Sequence, residues 1–234
     1  MGAAQKATST TLLWSQPAYE RTHRSPCRRF RYRLAHDFAG QGMMPPILII
    51  PGLNGSGPHH WQTCLERSFR GARRVQQADW KRPNRAAWVE RIVADIEANP
   101  GSALVAHSLG CALVAHVAAE RPDLAIEAAL LVAPADVESR RHTPQRLRGF
   151  APIPRAPLRF RSVVVASTND PYMALPRARE LADAWGAAFV EAGLIGHINV
   201  EAGFGPWPAG ERILRDLMLG RRESRSTARA TLDA

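Results

Sequence analysis

Hydrophobic positions along this chain fall into two alternating kinds of stretch. Largely apolar runs of three to five residues predict buried strands at Ile47–Ile50, Ala103–Ala106, Ala128–Val132, Ser162–Ala166 and Ala188–Val190. A weaker run at Arg74–Gln77 predicts a strand at a sheet edge. Between these runs the apolar residues recur at helical spacing. His60–Arg70 forms one such segment, and Ala86, Val89, Ile92, Val93 and Ile96 form another, which Asn99-Pro100-Gly101 stops. Leu109–Ala119 is apolar almost all round and so predicts a buried helix, ended by Arg121-Pro122. Two further helices are expected over Ala174–Trp185 and Gly210–Leu219. Strands apolar on both faces, alternating with helices, predict an α/β fold: a mostly parallel sheet covered by helices on both sides.

The proline- and arginine-rich stretch 135–160 interrupts this rhythm and reads as an irregular excursion, too short for a full lid domain. The regular pattern occupies residues 43–219. Residues 1–42 lack sustained periodicity and are expected to be a disordered extension, with Met43-Met44 a candidate translation start. Residues 220–234 read as a disordered basic tail.

Charge changes this picture little. The formal net charge is +10, but residues 1–42 hold seven Lys or Arg against two acidic residues, and 220–234 hold four against two. An excess carried mainly by the ends argues against nucleic-acid binding. No run of 18 apolar residues is present, so no membrane span is expected, and no secretory signal is visible. Cys27, Cys64 and Cys111 show no metal spacing. They are read as free thiols of a cytoplasmic protein, with no metal or cofactor called for.

The candidate chemistry sits at Ala106-His107-Ser108-Leu109-Gly110. A strand runs straight into a helix here, and the residues two before and two after the serine are small. That is the pattern of a nucleophile elbow, whose tight turn lifts the serine hydroxyl above the sheet. Such a serine needs a base and an acid, in the chain order Ser, acid, His. Asp170 follows a buried strand, as the acid should, with Asp136 as its rival. His197 is the only histidine after Asp170. An oxyanion hole would use the backbone amides of Leu109 and of Leu53, with Asn54 in reserve, in the glycine-rich loop after the first strand. Asn54, His60, Trp61 and Trp207 are candidates to line a substrate pocket. His107 fills the free position of the elbow, and His116 reads as a satisfied core residue.

Several motifs then agree in order: Pro51-Gly52-Leu53-Asn54-Gly55-Ser56, His60-Trp61-Gln62, Asp79-Trp80, the elbow, Ser167-Thr168-Asn169-Asp170-Pro171-Tyr172, Gly196-His197-Ile198-Asn199 and Gly203-Phe204-Gly205-Pro206-Trp207-Pro208. Over about Pro46–Leu219 the chain resembles the retinoblastoma-binding-protein-9-like serine hydrolases. The resemblance implies a small, lidless α/β-hydrolase fold with a triad at Ser108, Asp170 and His197. The activity expected is that of a carboxylesterase on small or medium acyl esters. The alternative is a protein-interaction module on a hydrolase fold, since the family name itself implies a protein partner for one member.

Overall fold

A computed structural model of the chain describes residues 44–220. The expectations for residues 1–42 and for the tail after 220 lie outside the described residues. Within them the elements run β1 (Ile47–Ile50), α1 (Trp61–Ser68), β2 (Ala72–Arg74), α2 (Arg85–Glu97), β3 (Ser102–His107) and α3 (Leu109–Glu120). They continue with β4 (Ile126–Val132), a 3-10 helix (Gln145–Phe150), β5 (Arg161–Ala166), α4 (Leu175–Trp185), β6 (Ala188–Glu191) and α5 (Pro208–Met218).

The six strands form one sheet in the order β2-β1-β3-β4-β5-β6, and every pairing is parallel. Alternating residues of each strand point to opposite faces, and both faces are buried. Leu48, Ile50, Leu104, Ala106, Ala129, Leu131 and Val164 pack against α2, α3 and α4. Ile47, Ile49, Ala103, Val105, Leu130 and Val165 pack against α1 and α5. This is why the strands read as unbroken apolar runs. The expected α/β architecture with helices on both faces is what the chain adopts.

Local differences from expectation have identifiable causes. The edge strand lies at Ala72–Arg74 rather than Arg74–Gln77, because its register is set by pairing with Ile47–Ile49 and not by its own composition. The 135–160 excursion is not solvated throughout: Val137, Leu147, Phe150 and Ile153 are buried in the core beside α3. Its Arg155 is paired with Glu138 and Glu180. The reading of three free thiols needs correction. Cys111 is free and buried, Cys64 is disulfide-bonded, and Cys27 lies outside the described residues. Thiol pairing depends on how the fold brings side chains together, which spacing in the sequence does not reveal. The thiol argument for a reducing compartment falls with it. Among the described residues no helix is long and apolar enough to cross a membrane.

The sheet serves the site through the junction of β1 and β3. These strands are neighbours, and their C-terminal ends lead into the loop 51–57 and into Ser108 respectively. The Ser108 N–H still donates to Val132 O (3.0 Å), so β3 keeps its pairing up to the turn. Helix α3 then starts with no linker. A Cβ built on Gly110 would lie 2.4 Å from Ile50 O and 3.1 Å from Pro51 O. Gly110→Ala should therefore lower stability although Ala is the better helix former. The helix gains about 1 kcal/mol, whereas overpacking against a fixed backbone costs about 1–3 kcal/mol, and this contact is at its severe end. Urea unfolding measures the balance; an unchanged or raised midpoint would refute the steric account.

Candidate active site

Ser108 sits at φ 56° and ψ −121°, in the left-handed half of backbone space that a residue with a Cβ adopts only under constraint. Conformations of this kind cost about 1–3 kcal/mol and persist where surrounding structure over-determines them. Here the constraints are the β3–β4 pairing on one side and the α3 N-terminus on the other. The Ser108 carbonyl accepts from Cys111 N–H (3.0 Å) and Ala135 N–H (3.3 Å), which holds the turn closed. The hydroxyl is left facing the C-terminal edge of the sheet.

The structure brings the three sequence-predicted residues into one hydrogen-bonded chain. His197 Nε2 lies 3.0 Å from Ser108 Oγ, and His197 Nδ1 lies 2.9 Å from Asp170 Oδ2 and 3.0 Å from Oδ1. Asp170 and His197 are both buried. The Tyr172 N–H donates to Asp170 Oδ1 (2.8 Å), so the turn after Asp-Pro orients the carboxylate. The rival acid is elsewhere. Asp136 accepts from Glu138 N–H and faces Arg177 at 3.9 Å.

The histidine loop is clamped from three sides. Asn169 Oδ1 accepts from Gly196 N–H (2.7 Å), and Ser167 Oγ accepts from Ile195 N–H (3.1 Å). His107 donates its Nε2–H to His197 O (2.9 Å). Gly196 at φ 63° and the buried Ile198 at φ 49° flank His197. Ile198 is β-branched, so its positive φ marks a backbone held against its preference.

The loop 51–57 lies directly beside the serine turn. A Cβ on Gly52 would meet Ser108 Cβ at 2.8 Å and Leu109 N at 3.1 Å, so only glycine permits this approach. Among the described residues, neither the Leu53 nor the Leu109 N–H has a backbone acceptor. The Asn54 N–H is engaged with Trp80 O (2.8 Å), which removes it as a reserve oxyanion donor. Its own side chain is exposed and outside the cleft.

A cleft of about 280 Å³ opens over Ser108. Leu53, His60, His107, Leu147, Tyr172 and His197 line it, with Arg146, Asn199, Val200 and Glu201. Pro144, Arg146 and Leu147 show that the 135–160 excursion supplies one wall. Trp61 and Trp207, expected in the pocket, are not part of its lining. Trp61 is 1% exposed and packs edge-on to Trp207 at 5.1 Å within the core on the α1–α5 face. Large aromatics contribute most when their area is removed from water, which favours the core over a polar cleft.

Two residues escaped the sequence reading. Gln62 is fully buried and joins the strand ends to the loop: its amide donates to Val105 O (2.9 Å) and Ile50 O (3.3 Å), and its Oε1 accepts from Ser56 (2.6 Å). Its signal was a polar residue on the apolar face of a short helix. Tyr172 lies edge-on to His197, with ring centroids 4.5 Å apart. It lies two residues after Asp170, and its signal was its place in the motif that carries that aspartate.

This geometry can move a proton from a serine hydroxyl to an imidazole whose opposite nitrogen is held by a carboxylate. The comparisons with known proteins agree with the fold. The serine hydrolase family profile matches residues 47–216. The chain belongs to the serine hydrolase family. A YdeN-like hydrolase from Pectobacterium atrosepticum is 32% identical, with TM-score 0.68, covering 77% of this chain and 94% of that one. The ydeN gene product of Bacillus subtilis is 20% identical (TM-score 0.62; 75% of this chain and 99% of that one) and shares the fold. Est1E from Butyrivibrio proteoclasticus, 13% identical (TM-score 0.57; 76% and 86%), likewise shares the fold alone. No curated protein matches the chain.

Burial shapes the electrostatics. His60 is pushed down to about 3, by burial first and then by Arg74 and His197. Burial also takes His107 well below the usual histidine range, and it pushes the Cys111 thiol up, leaving that thiol inert. In the unfolded chain both histidines protonate near pH 6.5, while the fold keeps His60 neutral to about pH 3. The stability this contributes is complete above about pH 6.5 and is lost as pH falls, at up to about 1.4 kcal/mol per pH unit for each histidine. Urea midpoints measured from pH 7 to pH 4.5 should decline, and His60→Asn should make the decline shallower. An unaltered slope in the variant would show that His60 does not titrate this way.

Proposed function

We propose that this protein is a carboxylesterase of the retinoblastoma-binding-protein-9-like type, cleaving small or medium acyl esters. The observation that carries the reading is the unbroken hydrogen-bonded chain Asp170–His197–Ser108, opening into a cleft beside two amides without backbone acceptors.

In this reading Ser108 Oγ attacks the ester carbonyl while His197 Nε2 takes its proton. Asp170 holds Nδ1–H, fixing the tautomer and stabilising the imidazolium. The Leu53 and Leu109 N–H groups receive the developing oxyanion, and the α3 N-terminus adds its positive end. Collapse of the tetrahedral intermediate expels the alcohol, which takes the proton back from His197. Water, activated by the same imidazole, then attacks the acyl-enzyme and releases the acid, returning Ser108 to its starting state. The cleft of about 280 Å³ supports short acyl groups, and with Trp61 in the core and the half-buried Trp207 packed against it, neither indole lines the cleft to favour long ones.

A fluorophosphonate probe followed by peptide mass analysis should place the adduct on Ser108. Ser108→Ala should abolish it, and His197→Ala should slow labelling sharply. On p-nitrophenyl esters, kcat/KM should fall about 10⁴-fold or more for Ser108→Ala and His197→Ala, and about 10³- to 10⁴-fold for Asp170→Asn. Full activity in Ser108→Ala would end the reading. Absence of labelling in the folded protein would favour the interaction-module alternative.

A further inference from the structure

Three imidazoles stand in a row at the cleft. The His60 and His107 ring centroids are 4.8 Å apart, and those of His107 and His197 are also 4.8 Å apart. The proposed chemistry uses only His197. The other two are more than nine-tenths buried, yet both line the cleft.

A named hydrogen bond fixes the tautomer of each. His60 caps α1: its Nδ1 accepts from Gln62 N–H (3.2 Å), so in the neutral ring the proton is on Nε2. His107 is bonded to the carbonyl of His197, an acceptor only, so its Nε2 carries the proton and Nδ1 holds a lone pair. That leaves one donor, His60 Nε2–H, and one acceptor, His107 Nδ1, with no hydrogen-bond partner among the described residues. Neither nitrogen is among the sealed, unpartnered side-chain atoms of the fold, so each still touches solvent. For side chains this deeply buried, the solvent they reach is that of the cleft they line. Burial keeps both rings neutral, which preserves the pairing of one donor with one acceptor across the working pH range.

We infer that His60 Nε2–H and His107 Nδ1 form a two-point subsite, within the cleft that holds Ser108, for a hydroxyl group on the substrate. A hydroxyl oxygen accepts from His60 while its proton goes to His107. A carboxylate offers His107 no proton, an ammonium offers His60 no lone pair, and an alkyl chain satisfies neither. The substrate class is thus a short ester bearing a hydroxyl near the scissile carbonyl. The inference rests on the hydrolase reading for what enters the cleft, but its test does not require turnover.

Ser108→Ala protein, with ¹⁵N-labelled histidine, is titrated by NMR with ethyl butanoate and with ethyl 2- and 3-hydroxybutanoate. One hydroxy ester should bind about tenfold tighter than ethyl butanoate or better, because a site built to hydrogen-bond a hydroxyl rejects the analogue lacking it. Binding should also shift the His60 Nε2 and His107 Nδ1 resonances. In Ser108→Ala/His60→Asn, where Asn retains the helix cap, the preference should shrink to about twofold or less, as expected when the hydroxyl loses its donor. Equal binding of the three esters by the Ser108→Ala protein would mean the pair holds only water and would overturn the inference without any further variant. A preference that survives His60→Asn would overturn it as well. Should the hydroxy ester bind selectively while the wild-type protein cleaves none of the three, the subsite stands and the esterase reading falls.

Discussion

Two strand ends meet at a distance that no side chain can enter, and the site is built on that contact. Gly110, in the first turn of α3, rests against the carbonyl of Ile50 at the end of β1, and Gly52 rests against the turn at Ser108. The contact holds the loop after β1, with Leu53, beside the serine at the cleft. Loosening it would separate these parts even if every strand pairing survived. The strain at Ser108 is the local cost, and the parallel pairing of β1, β3 and β4 holds it in place.

The surroundings reinforce the same junction. Gln62 satisfies the carbonyls of Ile50 and Val105, the acceptors left open where neighbouring strands end. Thr63 bonds the carbonyls of Ser56 and Gly57, and Arg74 reaches Ser56 O and Glu66. Trp80 covers Gly55 and accepts from Asn54 N–H. Helix α1 therefore acts as a bolt for the loop as much as a cover for the sheet. On the opposite side Ser167 and Asn169 hold the loop that carries His197, and the His107 bond to His197 O ties that loop to the serine turn.

The cleft mixes polar and apolar walls. Three imidazoles, Tyr172, Asn199, Arg146 and Glu201 share its lining with Leu53, Ala135, Pro144, Leu147 and Val200. Trp61 went into the core with the half-buried Trp207 packed against it, and the 135–160 excursion closes one side of the cleft with Pro144, Arg146 and Leu147.

Much of this was legible in the chain itself. Unbroken apolar runs alternating with helical periodicity determine a parallel sheet buried on both faces, because a strand covered on both sides has no use for alternation. Small residues two before and two after Ser108 determine the turn, and the order Ser, Asp, His narrows the partners to His197 and to Asp170 or its rival Asp136. What the sequence did not contain was anything depending on distance between remote segments. Asp136 and Asp170 both follow strand ends, and only packing turned one toward Arg177 and the other toward His197. Trp61 and His60 are adjacent, yet the helix start sends one into the core and the other to the cleft. Cys64 shows no pairing signal in the sequence and is disulfide-bonded. Periodicity and local size are properties of neighbouring residues, so the sequence determines them. Side-chain partnership is decided by a three-dimensional competition for partners and for burial, and only the folded chain resolves it.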